Sequence, residues 1–145
     1  MEYPTSFQTT DAVIVNPQNN QLLLGKRATQ DRWRFIGGFV DPDKDQTLEG
    51  ASKRERIEEA GINLECAEPR YLFSFRVDDP RYRESKHKIM TAAFLHEYVF
   101  GFPTAGDDIA QVAWFADYLV RANYKEFIVQ EHWPIVEKLI SLHIL

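Results

Sequence analysis

The stretch Gly37–Ile62 reads GGFVDPDKDQTLEGASKRERIEEAGI, and it decides how the rest of the chain is interpreted. Its second half, Thr47–Ala60, predicts one amphipathic helix. Glu55, Glu58 and Glu59 stand there at i, i+3 and i+4, so their side chains project from one face. Like charges at this spacing repel and destabilise an isolated helix. Because Mg²⁺ and Mn²⁺ take carboxylate oxygens as ligands, a divalent cation would reverse that repulsion.

Glycines flank the predicted helix on both sides. Gly37 and Gly38 precede it and Gly61 follows it, which allows the backbone to turn tightly at both ends. The competing interpretation is an ordinary solvated acidic helix face. Glycines and aliphatic residues at fixed positions around the glutamates favour the metal-binding interpretation.

These residues resemble the Nudix box, the signature of the Nudix hydrolase family. In words, the pattern is Gly, five residues, Glu, seven residues, Arg-Glu, an aliphatic residue, any residue, Glu-Glu, any residue, Gly and an aliphatic residue. Gly38 fills the first position. The second half matches without a gap at Arg54, Glu55, Ile57, Glu58, Glu59, Gly61 and Ile62.

The first half departs from this pattern. Gly38 and Arg54 are two residues further apart than the family spacing, which indicates an insertion. Counting back from Arg54, the place of the first glutamate falls on Gln46, or more loosely on Asp45 or Lys44. An amide brings no negative charge and cannot act as a base.

The loop Asp41–Gln46 carries three aspartates that could restore the missing charge. Asp41, Asp43 and Asp45 are equally well interpreted as a solvated acidic loop. This choice stays open from the sequence.

The resemblance implies roles for individual residues. Glu55 and Glu59 would be the main ligands of a Mg²⁺ or Mn²⁺ cofactor, with the backbone carbonyl of Gly37 completing the coordination. Glu58 would be a further ligand or would support one, and Glu58 and Glu59 would act in catalysis. Arg54 would be structural, as Gly38 and Gly61 would be, and would orient the glutamates by pairing with Glu58.

The general base in this family often lies outside the box, on a later loop. Glu97, Asp107 and Asp108 are the acidic candidates in the second half of the chain. The stretch GDDIAQVAWF resembles a Gly-Asp-Asp-Ala-x-x-Ala-x-Trp segment of many Nudix proteins. Asp108 is favoured because a mobile acidic loop residue could reach the metal.

Nudix enzymes hydrolyse a nucleoside diphosphate linked to another moiety. Within the family the chain most resembles ADP-ribose pyrophosphatases, including Nudix domains fused to nicotinamide-mononucleotide adenylyltransferase. Besides an Asp-Asp-Pro-Arg loop, three stretches carry this resemblance: Thr9–Val15 (TTDAVIV), Lys88–Phe94 (KIMTAAF) and Glu131–Val136 (EHWPIV).

ADP-ribose requires basic groups for its phosphates and an aromatic face for adenine. The candidates for binding the phosphates are Arg27, Arg34, Arg81 and Arg83. The candidates for adenine are Trp33, Phe35, Tyr82 and Trp114, of which Phe35 and Trp114 are flanked by apolar residues, as core residues are.

Two alternatives remain from the sequence. One is a Nudix-fold sensor that binds ADP-ribose-like ligands with little catalysis. The other is a Nudix enzyme with another substrate, such as an oxidised nucleotide or an RNA 5′ end. A homodimer is compatible with an ADP-ribose hydrolase, although no sequence feature indicates one.

Composition sets further limits. The 145 residues carry a formal net charge of −5, which argues against DNA or long RNA as the main partner. A single cysteine, Cys66, excludes an internal disulfide framework. The chain length fits one Nudix domain over residues 1–145. With no apolar run of membrane-spanning length, we expect a soluble cytoplasmic protein and no membrane partner.

The remaining pattern predicts an α/β fold, the Nudix α/β/α sandwich, with a mixed sheet that carries the box helix and a C-terminal helix. Strands are predicted at 10–15, 21–27, 69–77, 89–100 and 111–115, the first two as a hairpin and the fourth as central. A short helix is predicted at 116–122, and the C-terminal helix is predicted to begin near Glu131, with an apolar stripe at Ile135, Val136, Leu139 and Ile140.

Overall fold

The structure, a computed structural model, describes residues 2–145. Within them the chain forms seven strands and three α-helices. The strands are β1 Ser6–Asn16, β2 Gln21–Arg27, β3 Ile36–Phe39, β4 Leu64–Cys66, β5 Arg70–Val77, β6 Lys88–Gly101 and β7 Ile109–Ala116. The helices are α1 Leu48–Ala60, α2 Asp117–Phe127 and α3 Trp133–Ser141, and short 3₁₀ turns lie at Pro80–Tyr82 and Gln130–His132.

The sheet is mixed and is built around β1 and β6, which run parallel from the pair Ser6 and Lys88 to the pair Val15 and Glu97. Two strands pair antiparallel with β1 along its other edge. β3 pairs with the first part of β1, and β2 pairs with its end. β7 extends the sheet from β2, whereas β4 and β5 both pair with β6. The predicted hairpin and the central position of β6 are confirmed.

Helices cover both faces of the sheet, because successive residues of a strand point to opposite sides. On one face Ala12 and Ile14 pack with Ala60 of α1. On the other face Val13 belongs to a larger core, which includes Val120 of α2, Ile135, Val136 and Leu139 of α3, and Phe35. This arrangement confirms the predicted α/β/α sandwich.

Helix α1 has defined ends. Thr47 is its N-cap, and the Thr47 hydroxyl accepts a hydrogen bond of 2.9 Å from the Gly50 amide. Gly61 ends the helix with φ of 94°, a conformation that glycine adopts without steric cost. The predicted helix and the predicted role of Gly61 are confirmed.

Three sequence predictions need correction. Helix α2 extends to Phe127 and does not stop near residue 122, because Tyr124 and Phe127 also pack against the core. Helix α3 begins at Trp133, since residues 130–132 form a 3₁₀ turn. Strands β3 and β4 were not among the predicted strands, because four and three residues are too short for a period of two to be visible.

His96 fixes α1 to the sheet. Its side chain is fully buried on β6, its Nε2 lies 2.8 Å from the Ser52 hydroxyl, and its Nδ1 lies 3.0 Å from Nη1 of Arg56. A guanidinium can only donate, so Nδ1 is the acceptor and Nε2 carries the proton. Burial, followed by the charge of Arg56, lowers the pKa of His96 to about 3.

We therefore expect acid to destabilise the fold through His96. Unfolded histidine takes up a proton below about pH 6.5, whereas folded His96 stays neutral until about pH 3. The free energy of unfolding should fall across this window with a slope of up to about 1.4 kcal/mol per pH unit from this residue. Urea denaturation at several pH values should show a shallower slope in His96→Asn than in wild type, and equal slopes would contradict the assignment.

No helix within residues 2–145 is long and apolar enough to cross a membrane.

Candidate active site

A cavity of about 320 Å³ opens on the sheet face that carries α3. Its floor is formed by β1 and β3, and its sides by the end of α1, the loop after β5, the loop before β7 and the turn before α3. The glycine pair, two helix glutamates, two loop aspartates and three arginines all lie around it.

The glycine pair allows the α1 glutamates to reach the cavity. A Cβ atom on Gly38 would lie 2.6 Å from Oε1 of Glu55, and one on Gly37 would lie 2.1 Å from the carbonyl oxygen of Thr10. The Gly37 amide donates a hydrogen bond of 3.0 Å to Oε1 of Glu59. Only residues without a side chain fit between β1 and α1 at these two positions.

Four carboxylates meet at this end of the cavity. Glu55 and Glu59 come from α1 and are 7% and 4% exposed. Asp107 and Asp108 come from the loop before β7, and one carboxylate oxygen of each lies within 4.8 Å of a Glu59 oxygen. The loop is held against α1, since the Gly106 amide donates to the Glu59 carbonyl at 3.2 Å.

This group of carboxylate oxygens suits a divalent cation. Burial raises the pKa of Glu59 to about 8 and also raises the pKa of Glu55, because a buried carboxylate lacks the solvation of its charge. A bound cation would compensate that charge, and oxygen ligands of this kind suit Mg²⁺ or Mn²⁺.

Arg54 organises the outer side of the same helix. Its Nε and Nη2 donate to the two carboxylate oxygens of Asp45 at 2.8 and 2.7 Å. Its Nη1 lies 3.1 Å from Oε2 of Glu58 and 3.3 Å from Oε1 of Glu55, and its Nη2 also donates to the Phe39 carbonyl. The predicted pairing of Arg54 with Glu58 is confirmed.

The structure shows which residue of the inserted loop pairs with Arg54. Asp45 makes the two-pronged pair with Arg54, and its side chain is 3% exposed, whereas Gln46 is exposed. Asp41 accepts from the amide of Asp43, and Asp45 accepts from the amide of Asp41, so the inserted loop is internally bonded. The interpretation of this loop as merely solvated is therefore wrong for Asp45.

Replacing Asp45 with asparagine should lower the free energy of unfolding by about 1–3 kcal/mol, because Arg54 loses its two-pronged charged partner. The Gln46→Ala variant is the matched control and should stay within about 0.5 kcal/mol of wild type. Urea denaturation measures both changes. Equal effects at positions 45 and 46 would show that the ion pair contributes nothing to stability.

Two arginines with no ion-pair partner among residues 2–145 also line the cavity. Arg27 and Arg34 are half-buried, and Nε of Arg27 is buried without a hydrogen-bond acceptor within that range. Burial, followed by the charge of Arg27, lowers the pKa of Arg34. The charges of Asp11, Glu131 and Glu59 act on Arg34, but none of these carboxylates forms an ion pair with it. Two cationic side chains that are not held in ion pairs among the described residues favour an anionic ligand.

The other predicted arginines differ from this pair. Arg81 lines the cavity, but it is bonded to both carboxylate oxygens of Asp79, the shortest contact being 2.7 Å. Arg83 pairs with Asp78 and lines a neighbouring groove together with Tyr82. The structure therefore brings Arg27, Arg34 and Arg81 to the cavity but not Arg83 or Tyr82.

A buried polar group at the cavity floor was missed by sequence reasoning. Asp11 accepts a hydrogen bond of 2.7 Å from the Thr91 hydroxyl, and its Oδ1 lies 3.4 Å from Nε2 of His132. The Phe35 amide donates to Nδ1 of His132, so the proton of this ring is on Nε2 and faces Asp11. Burial raises the pKa of Asp11 to about 6. The available signal was an aspartate within an otherwise β-branched strand.

Several predicted residues lie away from the cavity lining. Glu58 contacts Arg54, and its side chain is 38% exposed. Glu97 pairs with Arg70 and lines a different pocket, towards the other end of β6. Three of the aromatic candidates for adenine also pack elsewhere: Phe35 in the core, Trp33 against Phe115 and Trp114 against Tyr98.

Comparison with known proteins identifies the family. The family model described as NUDIX domain matches residues 6–136, which is most of the chain. The chain belongs to the Nudix family. Its box helix, glycine pair and acidic loop are therefore parts of a Nudix fold.

Two curated relatives match parts of this Nudix chain. An RNA pyrophosphohydrolase of Pseudomonas fluorescens is 36% identical over 62 residues, which cover 43% of this chain and 38% of that protein. The ADPR responsive transcriptional repressor NtrR of Acinetobacter baylyi is 32% identical over 85 residues, 55% of this chain and 34% of the repressor. The chain thus aligns with well under half of each relative.

A solved structure matches almost the whole chain. The Nudix domain of Shewanella oneidensis NrtR, crystallised with ADP ribose, superposes with a TM-score of 0.72 at 17% identity. The match covers 97% of this chain and 90% of that domain. At this identity the likeness concerns the fold.

Proposed function

We propose that this Nudix chain hydrolyses a nucleoside diphosphate linked to another moiety, and that ADP-ribose, split into AMP and ribose 5-phosphate, is its substrate. One observation carries the proposal. One cavity is lined by the buried Glu55 and Glu59 of α1, by the exposed Asp107 and Asp108 of the loop before β7, and by two arginines that have no ion-pair partner among the described residues. That combination suits a diphosphate held between a metal and cationic side chains.

The cavity residues have separate roles in this proposal. Glu55, Glu59 and Asp107 would hold a Mg²⁺ or Mn²⁺ ion, with the Gly37 carbonyl as a further ligand, and Asp108 would act as the base. When bound, this ion neutralises phosphate oxygens and makes water a better nucleophile. Glu58, which is bonded to Arg54, keeps the helix face in place and does not itself contact the metal.

The reaction transfers one proton. The oxygen of a water molecule forms a bond to one phosphorus, and the bridging P–O bond breaks. Asp108 accepts the proton of that water, and the departing phosphate carries away the electron pair of the broken bond. Arg27 and Arg34 bind the oxygens of the second phosphate and stabilise the charge that develops there.

ADP-ribose is favoured over other substrates by the three sequence stretches that resemble ADP-ribose pyrophosphatases and by the similarity to an ADPR responsive repressor. The repressor similarity also supports a binding-only sensor. Asp45 counts against that alternative. It gives Arg54 a charged partner, which the neutral Gln46 could not provide.

A second candidate is hydrolysis of an RNA 5′ end, which the similarity to RNA pyrophosphohydrolases favours. The net charge of −5 opposes a long polyanion, although it does not oppose a short 5′ terminus.

A substrate panel tests the proposal. Purified protein with Mg²⁺ or Mn²⁺ is offered ADP-ribose, NADH, diadenosine polyphosphates, deoxynucleoside triphosphates and 5′-triphosphorylated RNA, and products are separated by chromatography. We expect AMP and ribose 5-phosphate from ADP-ribose at the highest kcat/KM. Faster turnover of RNA would mean that RNA and not ADP-ribose is the substrate, while the proposed type of hydrolysis would still hold. Binding of ADP-ribose without turnover of any compound would favour the sensor.

A further inference from the structure

One wall of the cavity is apolar and aromatic, in contrast to the charged remainder. Val77 and Ile89 pair across β5 and β6, and Phe39 at the end of β3 pairs with Thr9 of β1. All four residues line the cavity. Their register places these side chains on the same sheet face. Phe39 is a large apolar side chain that remains 45% exposed where it lines the cavity.

Phe39 is supported from behind by a second aromatic residue. The rings of Phe7 and Phe39 meet edge to face with centroids 6.1 Å apart, and Phe7 is itself in contact with Tyr82 and His87. Such packing restrains the Phe39 ring at the edge of the cavity.

Arg81 lies on the same side of the cavity, and its charge is already neutralised. Its guanidinium is bonded to Asp79, which is 6% exposed, and it lies 5.5 Å from the Tyr82 ring centroid. A guanidinium held in a carboxylate pair still offers a flat face for stacking on a planar ring. Phosphate binding is better served by Arg27 and Arg34, which have no such partner among the described residues.

We infer that the wall of Phe39, Val77 and Ile89, together with the guanidinium of Arg81, is the subsite for the nucleobase of the substrate. The base stacks on the Phe39 ring at the cavity mouth, while the phosphates reach inward to the carboxylates and to Arg27. This inference deepens the proposed function and rests on it only in requiring that the cavity binds a nucleotide. In this inference Arg81 stacks on the base, whereas the sequence indicated that it binds the phosphates.

The test compares ligands with and without a base. Calorimetric titration of AMP and of ribose 5-phosphate, each with Mg²⁺ present, is carried out on wild type, Phe39→Leu and Phe39→Trp. Phe100→Leu is the matched control, since Phe100 is an exposed strand phenylalanine outside the cavity lining. Circular dichroism and the melting temperature establish that each variant is folded.

In wild type, AMP should bind more tightly than ribose 5-phosphate. Phe39→Leu should weaken AMP about tenfold, because stacking of a base on an aromatic ring is lost, and should leave ribose 5-phosphate unchanged. Phe39→Trp should retain AMP affinity within about twofold, and Phe100→Leu should match wild type. The inference is overturned if Phe39→Leu binds AMP as wild type does, if it weakens both ligands equally, or if wild type does not prefer AMP.

Turnover separates this inference from the proposed function. ADP-ribose hydrolysis by wild type with unchanged AMP binding in Phe39→Leu would leave the function standing and remove the base subsite. The opposite result is AMP binding that depends on Phe39 without hydrolysis of any panel compound. It would support the base subsite and contradict the proposed catalytic function.

Discussion

Replacing Glu59 with glutamine should reduce the kcat for the hydrolysed substrate by about a thousandfold while leaving the fold intact. Glutamine has the same shape and still offers an oxygen to the Gly37 amide, which donates to Glu59 at 3.0 Å. It removes the negative charge at the point where Asp107 and Asp108 approach within 4.8 Å. Steady-state kinetics at saturating substrate and metal measures the change.

Two further variants of the same helix serve as controls. Glu49→Gln changes an exposed glutamate in the first turn of α1 and should retain wild-type kcat. Glu58→Gln should lose less activity than Glu59→Gln, since Glu58 contacts Arg54 and not the cavity. Addition of Mg²⁺ should raise the melting temperature of wild type but not of Glu59→Gln. Full activity in Glu59→Gln would remove this residue from the metal site.

Gly37→Ala should lower the free energy of unfolding by about 3 kcal/mol and abolish activity. The new Cβ would lie 2.1 Å from the Thr10 carbonyl oxygen and 2.8 Å from Oδ1 of Asp11. Since the first of these is backbone, β3 must move away from β1, and the amide that supports Glu59 moves with it. Urea denaturation and kinetics on the same preparation measure both effects.

The expected effect at Gly37 is steric and does not come from backbone strain. Gly37 has no positive φ, since the positive-φ glycines among residues 2–145 are Gly61 and Gly101. Gly50→Ala is the appropriate control. It adds the same methyl group at an exposed position of α1, where the new Cβ would lie 3.0 Å from the Thr47 hydroxyl. Its stability should remain within about 1 kcal/mol of wild type. A tolerated Gly37→Ala would mean that β3 can shift without loss of the site.

Local sequence patterns were sufficient for α1, for its cap at Gly61 and for most strands. These elements depend on residues close in the chain: glutamates at i, i+3 and i+4, glycines at turns, and β-branched runs. The missed features depend on distant partners. Helix α2 continues to Phe127 because Tyr124 and Phe127 pack against a core built from several other elements, which a local pattern does not show.

The sequence by itself determined the family, the sandwich fold and the helix face that carries Glu55 and Glu59, since the box is a contiguous motif whose spacing fixes its geometry. Only the tertiary structure decided that Asp45 and not Gln46 pairs with Arg54. It also decided that Arg27 and Arg34 form no ion pair within residues 2–145, whereas Arg81 and Arg83 do. It also placed Asp11 against His132, although the two lie near opposite ends of the chain. Such pairings depend on how strands and loops converge in space, and each arginine has the same intrinsic charge until its neighbours are known.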